Sequence, residues 1–250
     1  MLALDHQEHF KKIVNPEDPN LATADQIIKA KQKILHALKE EFTAVLLDTE
    51  YGLPAYEGIA KPFILRLEKS GFFETSGVKT VEIQHSVSEL KNKGASGIKF
   101  LLAFNPDREE SLGELEKARQ VRSDCQKNSL PLFLEILTYQ NEDRQLSKSE
   151  LILNSLEIFM QKGVVPDVFK IEYPGDQESC QKISQLLKET PWILLSGGDN
   201  FNEFTTRVEV AAKNGAAGFL AGRAVWQDIP DNETLLKSRF SELAKVVLDA

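Results

Sequence analysis

Eight short apolar runs alternate with stretches of helical periodicity along 250 residues, and no low-complexity tract or long Pro/Gly/Ser linker interrupts them. This alternation predicts an α/β fold, a (β/α)8 TIM barrel, because eight parallel strands each followed by a helix are what such a barrel needs to close. The runs themselves add a further observation: most are apolar on both faces, as strands held between a barrel core and a ring of helices must be. The length fits one such unit, so residues 1–250 are expected to form a single barrel domain. A doubly wound sheet ordinarily uses about five or six strands and a Gly-rich first turn. The segment 5–10 that would form that turn has no glycine.

The strands are expected at residues 2–5, 43–48, 63–67, 98–104, 132–137, 168–173, 192–195 and 218–222. Thr23 can cap the first long helix with Gln26 as its capping-box partner, and Ile27, Ile28, Ile34, Leu35 and Leu38 form one apolar stripe on it. The link between the second and third strands is short, so its helix is expected to be a turn or two near 56–61. After the third strand, 71–85 suggests a hairpin-like excursion before a helix at 87–93. Further helices are expected at 111–127, 148–161, 177–188, 201–213 and 232–248, with Gly163 and Gly215 placed as C-terminal caps. In the last helix Leu236, Phe240, Leu243 and Val247 form a stripe suited to packing on the barrel.

Composition narrows the function classes. Lys and Arg total 30 against 38 Asp and Glu, a net charge of −8. Such a chain is a poor general binder of nucleic acid or of membrane surfaces. It can still hold a local basic site, which an anionic substrate would need. Cys125 and Cys180 are too few for a disulfide framework or a four-ligand zinc site, and a reduced, cytoplasmic protein is expected. No apolar run approaches the ~18 residues of a membrane span, and the first residues lack the pattern of a signal peptide. The histidines are His6, His9, His36 and His85. They offer no obvious three-histidine set, and His6-x-x-His9 reads as the start of a surface helix, so no metal is expected. No nucleophile elbow, Walker loop or CxxC occurs, and no cofactor is expected.

Barrel enzymes carry their chemistry at the C-terminal ends of the strands. Those ends here carry Asp5, Asp48, Glu68, Lys99, Glu135, Lys170 and Glu172. Charges inside apolar strands are costly unless paired, and so many converging from different strands point to an active site. Strand alternation places Lys99, Glu135 and Lys170 on the faces that point into the barrel. Two lysines there would repel, and repulsion with desolvation lowers a lysine pKa and frees a nucleophilic amine. A nearby carboxylate can move protons. Together these groups suit Schiff-base chemistry on a carbonyl. The last two strands run into Ser196-Gly197-Gly198 and Gly222-Arg223. Glycine backbone and an arginine fork, on the loops after the seventh and eighth strands, suit a phosphate.

With these residues in place, the chain resembles the class I tagatose 1,6-bisphosphate aldolase and sulfofructosephosphate aldolase family, near the deoxyribose-phosphate aldolase group. The similar pieces run nearly end to end: Leu4-Asp5, Asp48-Thr-Glu-Tyr-Gly52, Glu68-Lys-Ser-Gly71, Gly97-Ile-Lys99, Phe133-Leu-Glu135, Asp167-Val-Phe-Lys170-Ile-Glu172, Ser196-Gly-Gly and Gly222-Arg223-Ala-x-Trp226. The resemblance implies a metal-independent aldolase that cleaves a phosphorylated ketose to dihydroxyacetone phosphate and an aldehyde, and that associates as a homo-oligomer. By the family motif, Lys170 would form the Schiff base and Glu135 would be the acid/base. Lys99 and Asp5 would orient the substrate, and Ser196, Gly197, Gly222 and Arg223 would hold the phosphate. Where the family has Gln-Arg after the first-strand Asp, with that Arg helping to bind an anionic group at the far end of the sugar, this chain has His6-Gln7. Lys11, Lys12 and Arg66 are the cations that could replace it. Two other readings stand beside the aldolase: a non-catalytic barrel that senses a sugar phosphate, and a transaldolase or isomerase on the same fold.

Overall fold

The structure, a computed structural model, describes residues 1–75, 77–140 and 144–250. Eight strands form one parallel sheet. They are β1 (Leu2–Ala3), β2 (Val45–Leu47), β3 (Phe63–Arg66), β6 (Gly97–Phe104), β7 (Leu132–Thr138), β8 (Val168–Ile171), β9 (Trp192–Leu195) and β10 (Gly218–Leu220), hydrogen-bonded in that order. The sheet closes on itself: Leu2 bridges Ala221 in parallel, and the Ala3 amide donates to the Ala221 carbonyl at 2.7 Å. The (β/α)8 barrel expected from the sequence is the observed fold.

The helices are α1 (Glu8–Val14), α2 (Ala24–Leu38), α3 (Gly52–Ala55), α4 (Val87–Asn92), α5 (Leu112–Asn128), α6 (Lys148–Gln161), α7 (Gln177–Leu187), α8 (Phe201–Lys213), α9 (Arg223–Trp226) and α10 (Glu233–Leu248). The capping box at Thr23 and Gln26 forms as expected, and two more start α4 at Ser86 and Glu89 and α6 at Ser147 and Glu150. The excursion after β3 is an antiparallel hairpin of β4 (Phe73–Thr75) and β5 (Val78–Thr80). The short helix expected at 56–61 lies earlier, as α3. Asp48 explains the shift: its carboxylate accepts from the amides of Glu50, Tyr51 and Gly52 at 3.1, 2.7 and 3.1 Å, which starts the helix directly after β2. No helix among the described residues is long and apolar enough to cross a membrane.

The core has two layers. Inside the barrel, Ala3, Leu46, Ile64, Phe133, Val168, Ile193 and Leu220 pack together. The larger layer lies between strands and helices, where β6 sends out Ile98, Phe100, Leu102 and Phe104. Side chains alternate faces along a strand, so Lys99 and Leu101 of β6 point inward. The inner apolar layer is therefore the floor on which inward charges stand at the C-terminal rim.

Asp48 corrects one expectation. It belongs not to the site but to a fully buried pair with Lys31 of α2, whose ammonium also donates to the Leu4 carbonyl at 2.7 Å. Past the end of β2 the strand alternation no longer governs direction, and the carboxylate turns toward α2 and α3. Asp48→Ala strands the Lys31 ammonium in apolar surroundings. It is expected to remove about 3–5 kcal/mol of folding stability, read from urea unfolding.

Candidate active site

A cavity of about 300 Å³ opens at the C-terminal end of the barrel, walled by Asp5, His6, Arg66, Glu68, Lys99, Glu135, Lys170 and Arg223. A second hollow of about 150 Å³ adjoins it, walled by Ser196, Gly197, Gly222 and Glu172, and shares His6, Glu135, Lys170 and Arg223 with the first. Register builds the centre: Arg66 pairs with Lys99 across β3 and β6, and Glu135 with Lys170 across β7 and β8. A roomier cleft beside α4 and α5, about 590 Å³, has Asp124 as the sole carboxylate in its wall and no lysine or arginine.

The four groups expected at the centre come together. Glu135 lies between the two lysines, 2.8 Å from the Lys170 ammonium and 3.0 Å from that of Lys99. Lys99 also reaches Glu68 at 2.6 Å and Asp5 at 3.5 Å. Arg66 donates to the Asp5 carbonyl at 2.7 Å, and the Leu101 amide donates to Glu68 at 3.0 Å. Asp5, Glu68, Lys99, Glu135 and Lys170 thus form one buried cluster of opposite charges, and Arg66 adds its charge beside Asp5.

Electrostatics follow from this packing. Burial acts to lower the Lys99 pKa, but Glu135, Glu68 and Asp5 outweigh it and push it above the ordinary lysine value. Burial acts to raise Asp5, yet Lys99, His6, Lys170 and Arg66 hold it well below the usual carboxylate range. Glu135 is likewise lowered, with Lys170 and Lys99 overcoming its burial. For Glu68 burial prevails over Lys99 and Arg66, and the pKa is raised. The expectation that two lysines would depress one another is corrected for Lys99: carboxylates from three strand ends surround it, and attraction exceeds the lysine–lysine repulsion.

The phosphate candidates also converge. The Gly222 amide lies 3.5 Å from Ser196 Oγ, and Arg223 lies along Gly198, where a Cβ would sit 3.4 Å from both terminal guanidinium nitrogens. Gly222 must be glycine for a different reason: a Cβ there would come within 2.9 Å of His6 Cε1 and 3.3 Å of the Ala3 carbonyl oxygen. Glu172 stands at the rim, accepting from the Thr138 amide at 2.9 Å and paired with Lys148 at 2.5 Å.

Sequence reasoning missed two wall residues and left a third open. His6 and His9, read as a surface helix start, line the cavity instead. The His6 ring meets Trp226 edge-on at 5.4 Å, and burial takes its pKa down to about 3 against the pull of Asp5, so it is neutral. His9 faces Arg223 at 2.9 Å. The signal available was Phe10, whose burial against Trp226 (4.7 Å, stacked) turns α1 onto the barrel mouth. Of the three cations considered for the far end, Arg66 faces the cavity, whereas Lys11 is tied to Glu8 at 2.6 Å and neither it nor Lys12 lines the cavity. Gln7 donates to Glu50 at 2.9 Å. Among the described residues no group of three His, Cys, Asp or Glu is arranged to hold a metal.

A lysine–carboxylate cluster at the mouth of a TIM barrel, beside a glycine and arginine cradle, defines a carbon–carbon lyase of the aldolase type. The family model for DeoC/LacD family aldolases matches residues 1–228. The chain belongs to that family of aldolases. Tagatose 1,6-diphosphate aldolase 1 of Enterococcus faecalis is 29% identical over 259 residues, 91% of this chain and 79% of that protein. Tagatose 1,6-diphosphate aldolase 2 of Streptococcus pyogenes serotype M1 is 27% identical over 258 residues, with 90% and 79% covered. Among solved structures, a Schiff-base-forming fructose 1,6-bisphosphate aldolase superposes with a TM-score of 0.73 at 22% identity, covering 98% of this chain and 92% of the other, a likeness in fold.

Proposed function

We propose that the protein cleaves a phosphorylated ketose of the tagatose 1,6-bisphosphate type, reversibly and without a metal, to dihydroxyacetone phosphate and an aldehyde, through a Schiff base on Lys170. The observation that carries the choice of nucleophile is the contrast between the two lysines. Lys99 is surrounded by three carboxylates and stays protonated. Among the described residues Lys170 pairs with one carboxylate, Glu135 at 2.8 Å, and is the less tightly held of the two ammonium groups.

The Lys170 amine adds to the ketone, and loss of water gives the iminium. Glu135 takes the proton of the hydroxyl two carbons from the iminium carbon, the carbon–carbon bond breaks, and the aldehyde leaves as its electron pair passes into the enamine. Reprotonation at carbon and hydrolysis release the three-carbon ketone phosphate and restore the amine. Lys99 supplies a fixed positive charge beside the carboxylates, and Asp5 holds Lys99 from the first strand.

Ser196, Gly197, Gly198, Gly222 and Arg223 form the phosphate end of the site, which the 3.5 Å approach of Gly222 to Ser196 and the place of Arg223 in both cavities support. Gly222→Ala pushes His6 and the first strand apart. It is expected to lower kcat/KM about tenfold or more, checked by steady-state kinetics beside a melting curve. The far end of the cavity is lined by Gln7, Glu8, Lys69, Ser70 and Gly71, with Lys69 paired to Glu82. The same reading takes residues 1–250 as one aldolase domain, a homo-oligomer working in the cytoplasm; the two buried free thiols, Cys125 and Cys180, fit a reducing compartment.

A turnover panel of ketose 1-phosphates and 1,6-bisphosphates tests the proposal. Release of dihydroxyacetone phosphate without an added acceptor aldehyde is expected. Cleavage only with an acceptor would mark a transaldolase, and tight binding with no turnover a sensor.

A further inference from the structure

Arg223 is held by a histidine that the aldolase mechanism does not use. Its Nη1 lies 2.9 Å from Nε2 of His9, in α1. A guanidinium donates and never accepts, so His9 Nε2 is the acceptor and the ring is neutral, with its proton on Nδ1. On its other side the guanidinium runs along Gly198, and its buried Nε has no hydrogen-bond partner among the described residues.

His9 is itself fixed. Its ring meets His6 edge-on at 5.7 Å, His6 meets Trp226 at 5.4 Å, and Phe10, the next residue of α1, stacks on Trp226 at 4.7 Å. Trp226 is tied to the first strand through its indole N–H, which donates to the Ala3 carbonyl at 3.1 Å. An aromatic chain thus runs from the barrel wall to the arginine.

We infer that His9 is a positioning residue that presets Arg223 for the phosphate end of the substrate. A carboxylate in its place would orient the guanidinium equally well but would cancel its charge and compete with the phosphate. A neutral imidazole orients it and leaves the charge for the anion. Burial, with Arg223 and Lys12 adding to it and Glu8 opposing, keeps the His9 pKa below the ordinary value, so the acceptor form prevails at neutral pH. The inference rests on the reading of Arg223 as a phosphate ligand.

The test uses His9→Leu, His9→Gln and Arg223→Gln in the full chain, read by KM for the phosphorylated ketose and by competitive inhibition with inorganic phosphate. His9→Leu is expected to raise both KM and the phosphate inhibition constant about 3- to 10-fold, the loss of one hydrogen bond, with kcat held within about twofold. His9→Gln is expected to restore both, because its amide oxygen can accept from Arg223. If the leucine variant does not fold, His9→Ala serves in its place. Unchanged constants in His9→Leu beside raised ones in Arg223→Gln overturn the role of His9 and leave the phosphate site standing. Equal losses in His9→Leu and His9→Gln also overturn it, since they mark the ring as packing rather than acceptor. Unchanged phosphate inhibition in Arg223→Gln overturns the phosphate reading itself, and the inference with it.

Discussion

Lys170→Ala is expected to abolish cleavage, lowering kcat by about 10⁴- to 10⁶-fold, the range seen when a covalent nucleophile is removed. The loss is large because the other buried amine of the cavity cannot take over. Lys99 reaches the same cavity but has Glu68 at 2.6 Å, Glu135 at 3.0 Å and Asp5 at 3.5 Å around it, and their pull raises its pKa above the ordinary value. An amine held protonated by three carboxylates cannot attack a carbonyl. Lys170→Arg separates charge from nucleophilicity. It can keep a cation beside Glu135, and so should fold better than the alanine variant, yet it is expected to be equally inactive. Steady-state assays with melting curves for both variants check this. Activity within tenfold of the parent in either one contradicts the assignment.

Glu135→Gln is the second large effect. The substitution keeps shape and removes the base, and a positioned acid/base is worth about 10²- to 10⁴-fold in rate. Its effect should divide the reaction. Schiff-base formation on Lys170 depends on the amine, whereas carbon–carbon cleavage depends on Glu135, so cleavage should fall far more than trapping of the ketone. The pH dependence follows from the sign of the shift. Burial acts to raise the Glu135 pKa, but Lys170 and Lys99 bring it below the ordinary carboxylate value, so the carboxylate form is already in place at any pH above that value. The acid limb of kcat/KM due to Glu135 therefore lies below the ordinary carboxylate value. A limb near neutrality that disappears in Glu135→Gln would contradict the assignment.

Much of this was legible in the sequence because strand parity is a strong constraint. The apolar partners of β6, Ile98, Phe100 and Leu102, had to face the helices, which left Lys99 facing inward; the same rule placed Glu135 and Lys170. The capping box at Thr23 and the hairpin after β3 were equally local and equally readable. The rest depended on what lies across space. Asp48 lies just past the end of β2, where the buried ammonium of Lys31 and the amides of Glu50, Tyr51 and Gly52 claim it. The electrostatics of Lys99 depend on Asp5 and Glu68, carboxylates 94 and 31 residues away in the chain, so two inward lysines alone suggested the wrong sign. His6 and His9 were hidden because their role depends on α1 folding over the barrel mouth, which Phe10 and Trp226 accomplish from distant parts of the chain.

The most direct test of the central claim is mass spectrometry after borohydride reduction with dihydroxyacetone phosphate. A single stable adduct on the peptide carrying Lys170, lost in Lys170→Ala and retained in Glu135→Gln, is the expected result. No adduct, an adduct on Lys99, or one that persists in Lys170→Ala would contradict it.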